Sequence, residues 1–213
     1  MVLSQILVRE EQNHKVIRKK YNGFNSYKWL FSPVLQLFYP FAALPKSRLE
    51  RELEFLNSNN DIKKPKVYSF DFYNKELNRE YIDGKVDHFE GSKLGRLFSE
   101  IHKAGYSLGD SKLDNFICNS EGAYIIDSEQ AIKTSKKRYR YWDVSLLILS
   151  AAYYNYSNKK GFNEFLNGFS REYLYWQDYQ KRAIKGLYSL LFLFMPVQHV
   201  YSLKCALSKA KND

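Results

Sequence analysis

Hydrophobic positions along the chain follow two different periods, and the change between them divides the sequence into two parts. In the first part, runs rich in β-branched and aromatic residues predict strands at 2–8, 15–21, 66–72 and 76–82. Leu49, Leu53 and Leu56 follow helical spacing there, and Ser47 with Glu50 resembles a capping box. The pattern therefore predicts strands and one main helix before residue 84.

After Gly84 the pattern becomes mostly helical. Apolar residues at helical spacing predict a helix over 93–103 that stops at Gly105. Further helical segments are predicted at 142–155, 160–179 and 181–210, the last interrupted near Pro196. We therefore expect two lobes, a β-rich one over residues 1–84 and a helical one over 85–213.

The segment 24–45 is rich in aromatic residues and carries Pro33, Pro40 and Pro45, so one long regular helix cannot run through it. Two interpretations remain open. The segment is either packed aromatic structure between elements, or an exposed apolar surface for a partner or a membrane interface.

Composition adds a strong basic bias to this picture. A net charge of +10 and a pI near 9.4 indicate an anionic partner, which could be nucleotide, nucleic acid, acidic lipid or a phosphorylated substrate. The basic residues of 133–140 contain no acid among them, and we expect this strip to contact a membrane or RNA. Cys118 and Cys205 match no metal or redox spacing, which favours a reducing compartment.

The ends of the chain and its apolar runs favour a cytoplasmic protein, with peripheral contact at the inner membrane face as an option. The first residues acquire charge too early for a signal peptide. The longest apolar run, Leu187–Val197, is too short to span a bilayer.

The most informative stretch runs from Leu97 to Glu129 and contains three spaced polar residues, Asp110, Asn115 and Asp127. Turn-forming residues separate two β-prone runs that flank the last two of these, which predicts a hairpin presenting an amide beside a carboxylate. Mg²⁺ prefers such oxygen ligands together with phosphate oxygens. The sequence therefore indicates a magnesium site.

The strand at 15–21 carries three consecutive cations, Arg18, Lys19 and Lys20. Because side chains alternate between the two faces of a strand, only one face can point into a cleft. Lys19 shares its face with Ile17, which favours it over its neighbours, but the alternatives stay open. No glycine occurs in the preceding turn, so a loop that grips phosphates with bare backbone amides is not predicted.

These motifs together resemble the protein-kinase superfamily in its small, atypical form. The sequence IHKAGYSLGDSKLDN resembles its catalytic loop, and IID, ending at Asp127, resembles its metal-binding motif. The pair Gly109–Asp110 is similar to the loops of RIO kinases, the KEOPS-complex kinase, aminoglycoside phosphotransferases and lipopolysaccharide core kinases. Upstream, KVIRKKY resembles the lysine strand, Glu52 the helix glutamate, and Glu80-Tyr81-Ile82 the hinge.

The resemblance implies an α+β, bilobal kinase-like fold with a small β-rich N-lobe and a mostly helical C-lobe. It also implies ATP and Mg²⁺ as cofactors, with Mn²⁺ as an alternative metal. The roles it implies are catalysis by Asp110 and Lys112, metal binding by Asn115 and Asp127, and nucleotide binding by Lys19, Glu52, Glu80 and Ile82.

Three departures qualify this resemblance. Leu108 replaces the usual histidine, Ser128 and Glu129 replace the phenylalanine and glycine after the metal aspartate, and the glycine-rich loop has no glycines. Too few residues also lie between Asp127 and Trp142 for the long segment that docks peptides in ordinary kinases.

Three hypotheses for function follow. The first is an ATP-dependent kinase acting on protein serine or threonine, including itself. The second is the same chemistry on a sugar hydroxyl of an anionic glycolipid such as a lipopolysaccharide core. The third is a pseudokinase that binds RNA or a protein partner, against which the intact Asp110, Asn115 and Asp127 argue.

Overall fold

A computed structural model describes residues 6–11, 14–21 and 36–208, and the architecture is α+β. Its strands are β1 (Ile6–Glu11), β2 (His14–Lys20), β3 (Val67–Asp71), β4 (Glu76–Glu80), β5 (Tyr106–Ser107), β6 (Phe116–Asn119), β7 (Gly122–Ile125) and β8 (Ile132–Lys133). Its α-helices are α1 (Pro45–Leu56), α2 (Gly91–Lys103), α3 (Lys137–Tyr154), α4 (Lys159–Glu172), α5 (Trp176–Ala183) and α6 (Val197–Ser208), with 3₁₀ helices at Leu113–Asn115 and Leu187–Phe194.

The N-terminal lobe is a four-stranded antiparallel sheet in the order β1-β2-β4-β3, with α1 as its helix. Strand β2 is central, pairing Val8 with Ile17 on one side and Leu77 with Lys19 on the other. Because side chains alternate along a strand, Ile17 and Lys19 share one face, and both are buried. The sheet thereby carries a lysine into the interior beside α1.

Helix α1 begins earlier than predicted. It starts at Pro45, whose fixed φ suits the first turn, and Leu44 occupies the N-cap without a side-chain hydrogen bond. The capping box predicted at Ser47 and Glu50 is therefore wrong. The helix instead depends on its packed face, which buries Leu49, Leu53, Phe55 and Leu56 and, next to them, Arg48 and Glu52.

The chain leaves the sheet after β4 and runs directly to the centre of the second lobe. Lys85 exchanges backbone hydrogen bonds with Cys118 of β6, at 3.2 and 2.8 Å. Strand β6 then pairs with β7 in the predicted hairpin, with Phe116 opposite Ile125. The predicted boundary at residue 84 falls in this crossing segment and stays a prediction.

The C-terminal part of the chain is mostly helical, as predicted, but the helices differ from the predicted ones in extent and partly in type. Helix α3 begins at Lys137, so the second half of the basic strip forms its first turn. The predicted helix 160–179 is two helices, because the backbone becomes extended at Tyr173, whose ring turns inward to His102. The predicted helix from 181 is a 3₁₀ segment followed by α6, separated by Pro196.

These layers confirm the α+β architecture expected from the sequence, with a small β-rich first lobe and a mostly helical second lobe. One continuous core runs from Tyr21 and Leu53 of the first lobe to Leu203 of the last helix. Within the described residues, no helix is both long and apolar enough to cross a membrane. The predictions at 2–5, 12–13 and 24–35 lie outside the described residues.

Candidate active site

Lys19 forms the centre of a buried cluster of charges between the lobes. Its Nζ lies 2.6 Å from Oε2 of Glu52, 2.9 Å from Oδ1 of Asp127 and 3.4 Å from Oε2 of Glu129. Arg18 and Lys20 point to the other face of β2, where both contact Glu76. The geometry thus selects Lys19 from the three candidate cations of this strand.

Burial and neighbouring charges act in opposite directions on this cluster. Burial disfavours the charged form of Lys19, but the carboxylates of Asp127 and Glu52 prevail and raise its pKa well above the usual value. Burial raises the pKa of Glu52, only partly offset by Lys19, and the Tyr21 hydroxyl donates a hydrogen bond to the same carboxylate. Lys19 therefore stays an ammonium that is fixed in position by α1.

Two members of the cluster, Glu129 and Arg48, were not predicted from the sequence. Arg48 Nη1 of α1 lies 3.0 Å from Oε1 of Glu129, while the second oxygen of Glu129 faces Lys19. The signal available was Glu129 in the place where the kinase motif that this sequence resembles has glycine. A buried glutamate there requires a cation, and α1 supplies one four residues before Glu52.

Asn115 and Asp127 come together through the β6–β7 hairpin, as the sequence predicts. They flank its open end, and the Ile126 N–H donates to the Asn115 carbonyl at 2.9 Å. The Arg79 guanidinium of β4 donates to the Ile126 carbonyl at 2.6 Å, which fixes the backbone just before Asp127. Although burial opposes ionisation, the charge of Lys19 lowers the pKa of Asp127, so its carboxylate stays ionised.

Asp110 and Lys112 lie on the loop between β5 and the 3₁₀ turn at Leu113–Asn115. Lys112 Nζ is 3.2 Å from Asp110 Oδ2, and Asn115 Nδ2 donates to the Asp110 carbonyl at 2.5 Å. Burial raises the pKa of Asp110, and Lys112 partly counters it. The result is a carboxylate with more affinity for a proton than a surface aspartate.

A fully buried aspartate, Asp143 of α3, holds this loop in shape. Its Oδ2 accepts hydrogen bonds from the Ser107 hydroxyl and the Leu108 N–H, both at 2.7 Å, and Oδ1 accepts from the Gly109 N–H at 2.8 Å. The neighbouring Trp142 donates its indole N–H to the Gly109 carbonyl at 2.7 Å. These bonds determine where Asp110 projects.

His102 completes the support beneath the loop. Its Nε2 lies 3.2 Å from Asp143 Oδ2, and its Nδ1 lies 2.7 Å from the Tyr173 hydroxyl. Burial lowers the pKa of His102, and the Asp143 carboxylate partly counters this effect. A structural role for His102 agrees with these contacts.

Of the two predicted hinge residues, Glu80 ends β4 and Ile82 follows two residues later. The Glu80 carboxylate accepts a hydrogen bond from the Lys66 N–H at 3.0 Å, and Ile82 is buried. The described contacts of Glu80 therefore serve the β3–β4 hairpin. Ile82 offers an apolar side chain at the crossing between the lobes.

The three acidic members of the cluster lie close enough together to bind one metal ion. One carboxylate oxygen each from Glu52, Asp127 and Glu129 lies within 4.8 Å of the others. Asp127 is the most open of the three, with a side chain 32% exposed against 1% and 11% for Glu52 and Glu129. Carboxylate and amide oxygens are the donors that Mg²⁺ takes, so Asp127 and Asn115 fit such an ion.

Neither a protein-family model nor a curated protein matches the sequence. Among solved structures 109 chains match, and one of them is described as WaaP in complex with acyl carrier protein. That match has a TM-score of 0.47 and 12% sequence identity, and it covers 98% of this chain and 88% of that one. At this level the similarity assigns no substrate and no partner.

Proposed function

We propose that the protein is an ATP- and Mg²⁺-dependent phosphotransferase that acts on a hydroxyl group. The observation that carries the proposal is the buried Lys19 ammonium held between Glu52 and Asp127. Phosphoryl transfer depends on positioning and charge neutralisation more than on covalent chemistry. A fixed cation beside an ionised, partly open carboxylate provides both for a triphosphate.

Each residue has a role in this proposal. Lys19 binds the α- and β-phosphates, and Asn115 with Asp127 would hold Mg²⁺, which neutralises phosphate charge when bound. Asp110 accepts the proton of the acceptor hydroxyl as the new oxygen–phosphorus bond forms and the bond to the β-phosphate oxygen breaks. Lys112, 3.2 Å from Asp110, neutralises charge on the transferred group.

The acceptor has two candidates, both carried from the sequence. A protein serine or threonine, including residues of this chain, is the first. The second is a sugar hydroxyl of an anionic glycolipid, and one observation favours it. Only nine residues, 128–136, connect Asp127 to α3, which is too short a segment to dock a peptide. The end of this segment and the start of α3 expose four cations that could bind an anionic acceptor: Lys133, Lys136, Lys137 and Arg138.

The test of the chemistry is phosphate transfer from labelled ATP with Mg²⁺ by wild type and by Asp127→Ala. We expect transfer by wild type and a loss of about a hundredfold to a thousandfold in the variant, on the order of the effects of groups that stabilise the transition state. Asp114→Ala is the matched control, since Asp114 lies in the 3₁₀ turn beside Asn115, but its carboxylate accepts a hydrogen bond from the Tyr154 hydroxyl. If wild type neither transfers phosphate nor changes its Tm with Mg-ATP, the result would instead support the third hypothesis, a pseudokinase that binds RNA or a protein partner.

A second measurement separates the acceptors. A cell extract is incubated with the protein and labelled ATP, then split into protein and lipid fractions. Label in protein that disappears with Asp127→Ala supports the first candidate. Label confined to the glycolipid fraction supports the second and rejects the first.

A further inference from the structure

An exposed apolar ridge near the C-terminus is not explained by the proposed active site. It consists of Leu190, Leu193, Phe194 and Val197, and we call it the C-terminal ridge. Leu193, Phe194 and Val197 are 78%, 68% and 85% exposed. Large adjacent apolar side chains that face water mark an interaction surface more often than scattered single ones do.

The ridge is held rigidly on the helical lobe. The inner side of the same 3₁₀ segment packs Leu191 and Phe192 against the core, and Met195 is buried. The Tyr153 hydroxyl of α3 donates to the Phe194 carbonyl at 2.6 Å. The segment is thus apolar on both sides, and internal packing accounts for only one of them.

The outward residues share a surface. Three residues make one turn of a 3₁₀ helix, so Leu190 and Leu193 lie in line, and Phe194 and Val197 continue past the Pro196 break. On α6, Val197, Tyr201 and Lys204 are spaced four and three residues apart, so they occupy one exposed face. Apolar, aromatic and cationic side chains therefore succeed one another along the surface.

Charge along the segment that carries the ridge is of one sign. Residues 179–212 contain no aspartate or glutamate, and the cations there include Lys181, Arg182, Lys185 and Lys204. Lys159 adds a further cation, with its Nζ 5.7 Å from the centre of the Tyr201 ring. A protein partner does not require this bias, whereas an anionic lipid surface attracts each cation and accepts the apolar residues between its head groups.

We propose that the C-terminal ridge docks this protein on an anionic lipid surface, with Leu193, Phe194 and Val197 inserted among the head groups and the neighbouring lysines and arginine on the lipid phosphates. The docking is reversible and interfacial, because the inserted segment is short and no described helix could cross the bilayer. It does not depend on the proposed phosphotransferase activity.

The test is flotation of the full chain with vesicles of phosphatidylcholine alone or of phosphatidylcholine with phosphatidylglycerol. We expect binding to the anionic vesicles, little to the neutral ones, and release as salt increases. Leu193→Glu/Phe194→Glu should lower the binding constant by at least about tenfold. Lys181→Ala/Lys185→Ala should lower it by about fivefold for each charge removed.

Leu44→Glu is the matched control, because Leu44 is exposed by 68%, like Phe194, but lies at the start of α1 in the other lobe. It should bind vesicles as wild type does. Unchanged thermal unfolding shows that each variant folds. The proposal is overturned if wild type does not bind anionic vesicles, or if a ridge variant floats with these vesicles as well as wild type does. A lipid-free dimer that the ridge variant dissociates also overturns it, since a second copy would then cover the ridge.

Discussion

At the scale of single residues, the unusual feature of this protein is the balance of buried charge around Lys19. Three carboxylates, those of Glu52, Asp127 and Glu129, meet two cations, Lys19 and Arg48. Burying charge is costly unless partners satisfy it, and here every carboxylate has one. The Arg79 guanidinium adds positive charge near Glu52 and Asp127, and the partly open Asp127 carboxylate is the member of the cluster that a divalent cation with a polyphosphate can contact.

The titration of Asp110 sets the expected acid limb of activity. Asp110 must be ionised to accept a proton, so the rate falls as pH falls through its pKa. Since burial raises that pKa, the acid limb of kcat/KM should lie above the usual aspartate value of about 3.9. Lys112 favours the ionised form, so Lys112→Met should move the limb to higher pH. The measurement is kcat/KM against pH for both proteins.

Lys85→Met serves as the control for that profile. Lys85 forms an exposed pair with Asp87 at 3.5 Å, remote from the loop. Its removal should leave the limb unchanged. A limb that moves to lower pH with Lys112→Met would contradict a role of Asp110 as proton acceptor.

Three charged residues of the buried cluster were predictable from the sequence, but the two residues that complete it were not. Spacing and resemblance predicted Lys19, Glu52 and Asp127, and the fold brings these three within contact distance. Arg48 and Glu129 were not predicted, because the sequence shows that glutamate replaces glycine but not the direction in which the Glu129 side chain points. That direction depends on how α1 packs across the lobes.

At the scale of elements, the loop that carries Asp110 is organised from a distant helix. Asp143 accepts bonds from two loop N–H groups and a hydroxyl, and all of these partners are buried. Asp143→Asn replaces one acceptor oxygen by an N–H donor, which faces donors already in place. We expect a loss of about 2–3 kcal/mol of stability and a fall in kcat, measured by urea unfolding and by labelled transfer.

Asp178→Asn is the comparison for that variant. Asp178 also sits near α3, accepting from Tyr141 and pairing with Lys137 at 3.3 Å, but at the surface. Its loss should cost less than about 1 kcal/mol and leave kcat unchanged. Equal effects of the two variants would mean that Asp143 has no special part in the loop.

Element types were predictable from periodicity, whereas element boundaries depended on tertiary contacts. The hairpin of β6 and β7 formed where turn residues separate two β-prone runs. The predicted cap of α1 failed, because Pro45 starts the helix two residues before Ser47. The predicted helix 160–179 broke at Tyr173, whose hydrogen bond to His102 comes from α2 and is invisible to a local pattern.

At the scale of the whole molecule, the two lobes are joined by buried polar bonds as well as by the chain crossing. Arg79 of β4 donates to the Ile126 carbonyl, and Arg48 of α1 bonds Glu129. The four short strands of the first lobe are too few to form a large core by themselves. The lobes should therefore unfold together.

Arg48→Met tests this coupling directly. Arg48 is fully buried, and methionine keeps the apolar stem but leaves the Glu129 carboxylate without the cation at 3.0 Å. Losing one partner of a buried pair costs about 3–5 kcal/mol. For a chain of this size that corresponds to a fall in Tm of about 6–20 °C. Calorimetry should show a single unfolding transition at a lower temperature, because loss of this contact between the lobes destabilises both of them.

The pair itself can be separated from the loss of the arginine by a second substitution. Arg48→Met/Glu129→Gln removes the carboxylate that has lost the nearer of its two cations, so it should recover part of the lost stability. Lys46→Met on the same helix breaks only an exposed pair with Glu50 at 3.9 Å and should cost less than about 1 kcal/mol. Two separate calorimetric peaks in Arg48→Met, or a double variant no more stable than the single one, would show that the lobes are held together by other contacts. A single peak that recovers with Glu129→Gln would place the coupling in the same charged cluster that fixes Lys19.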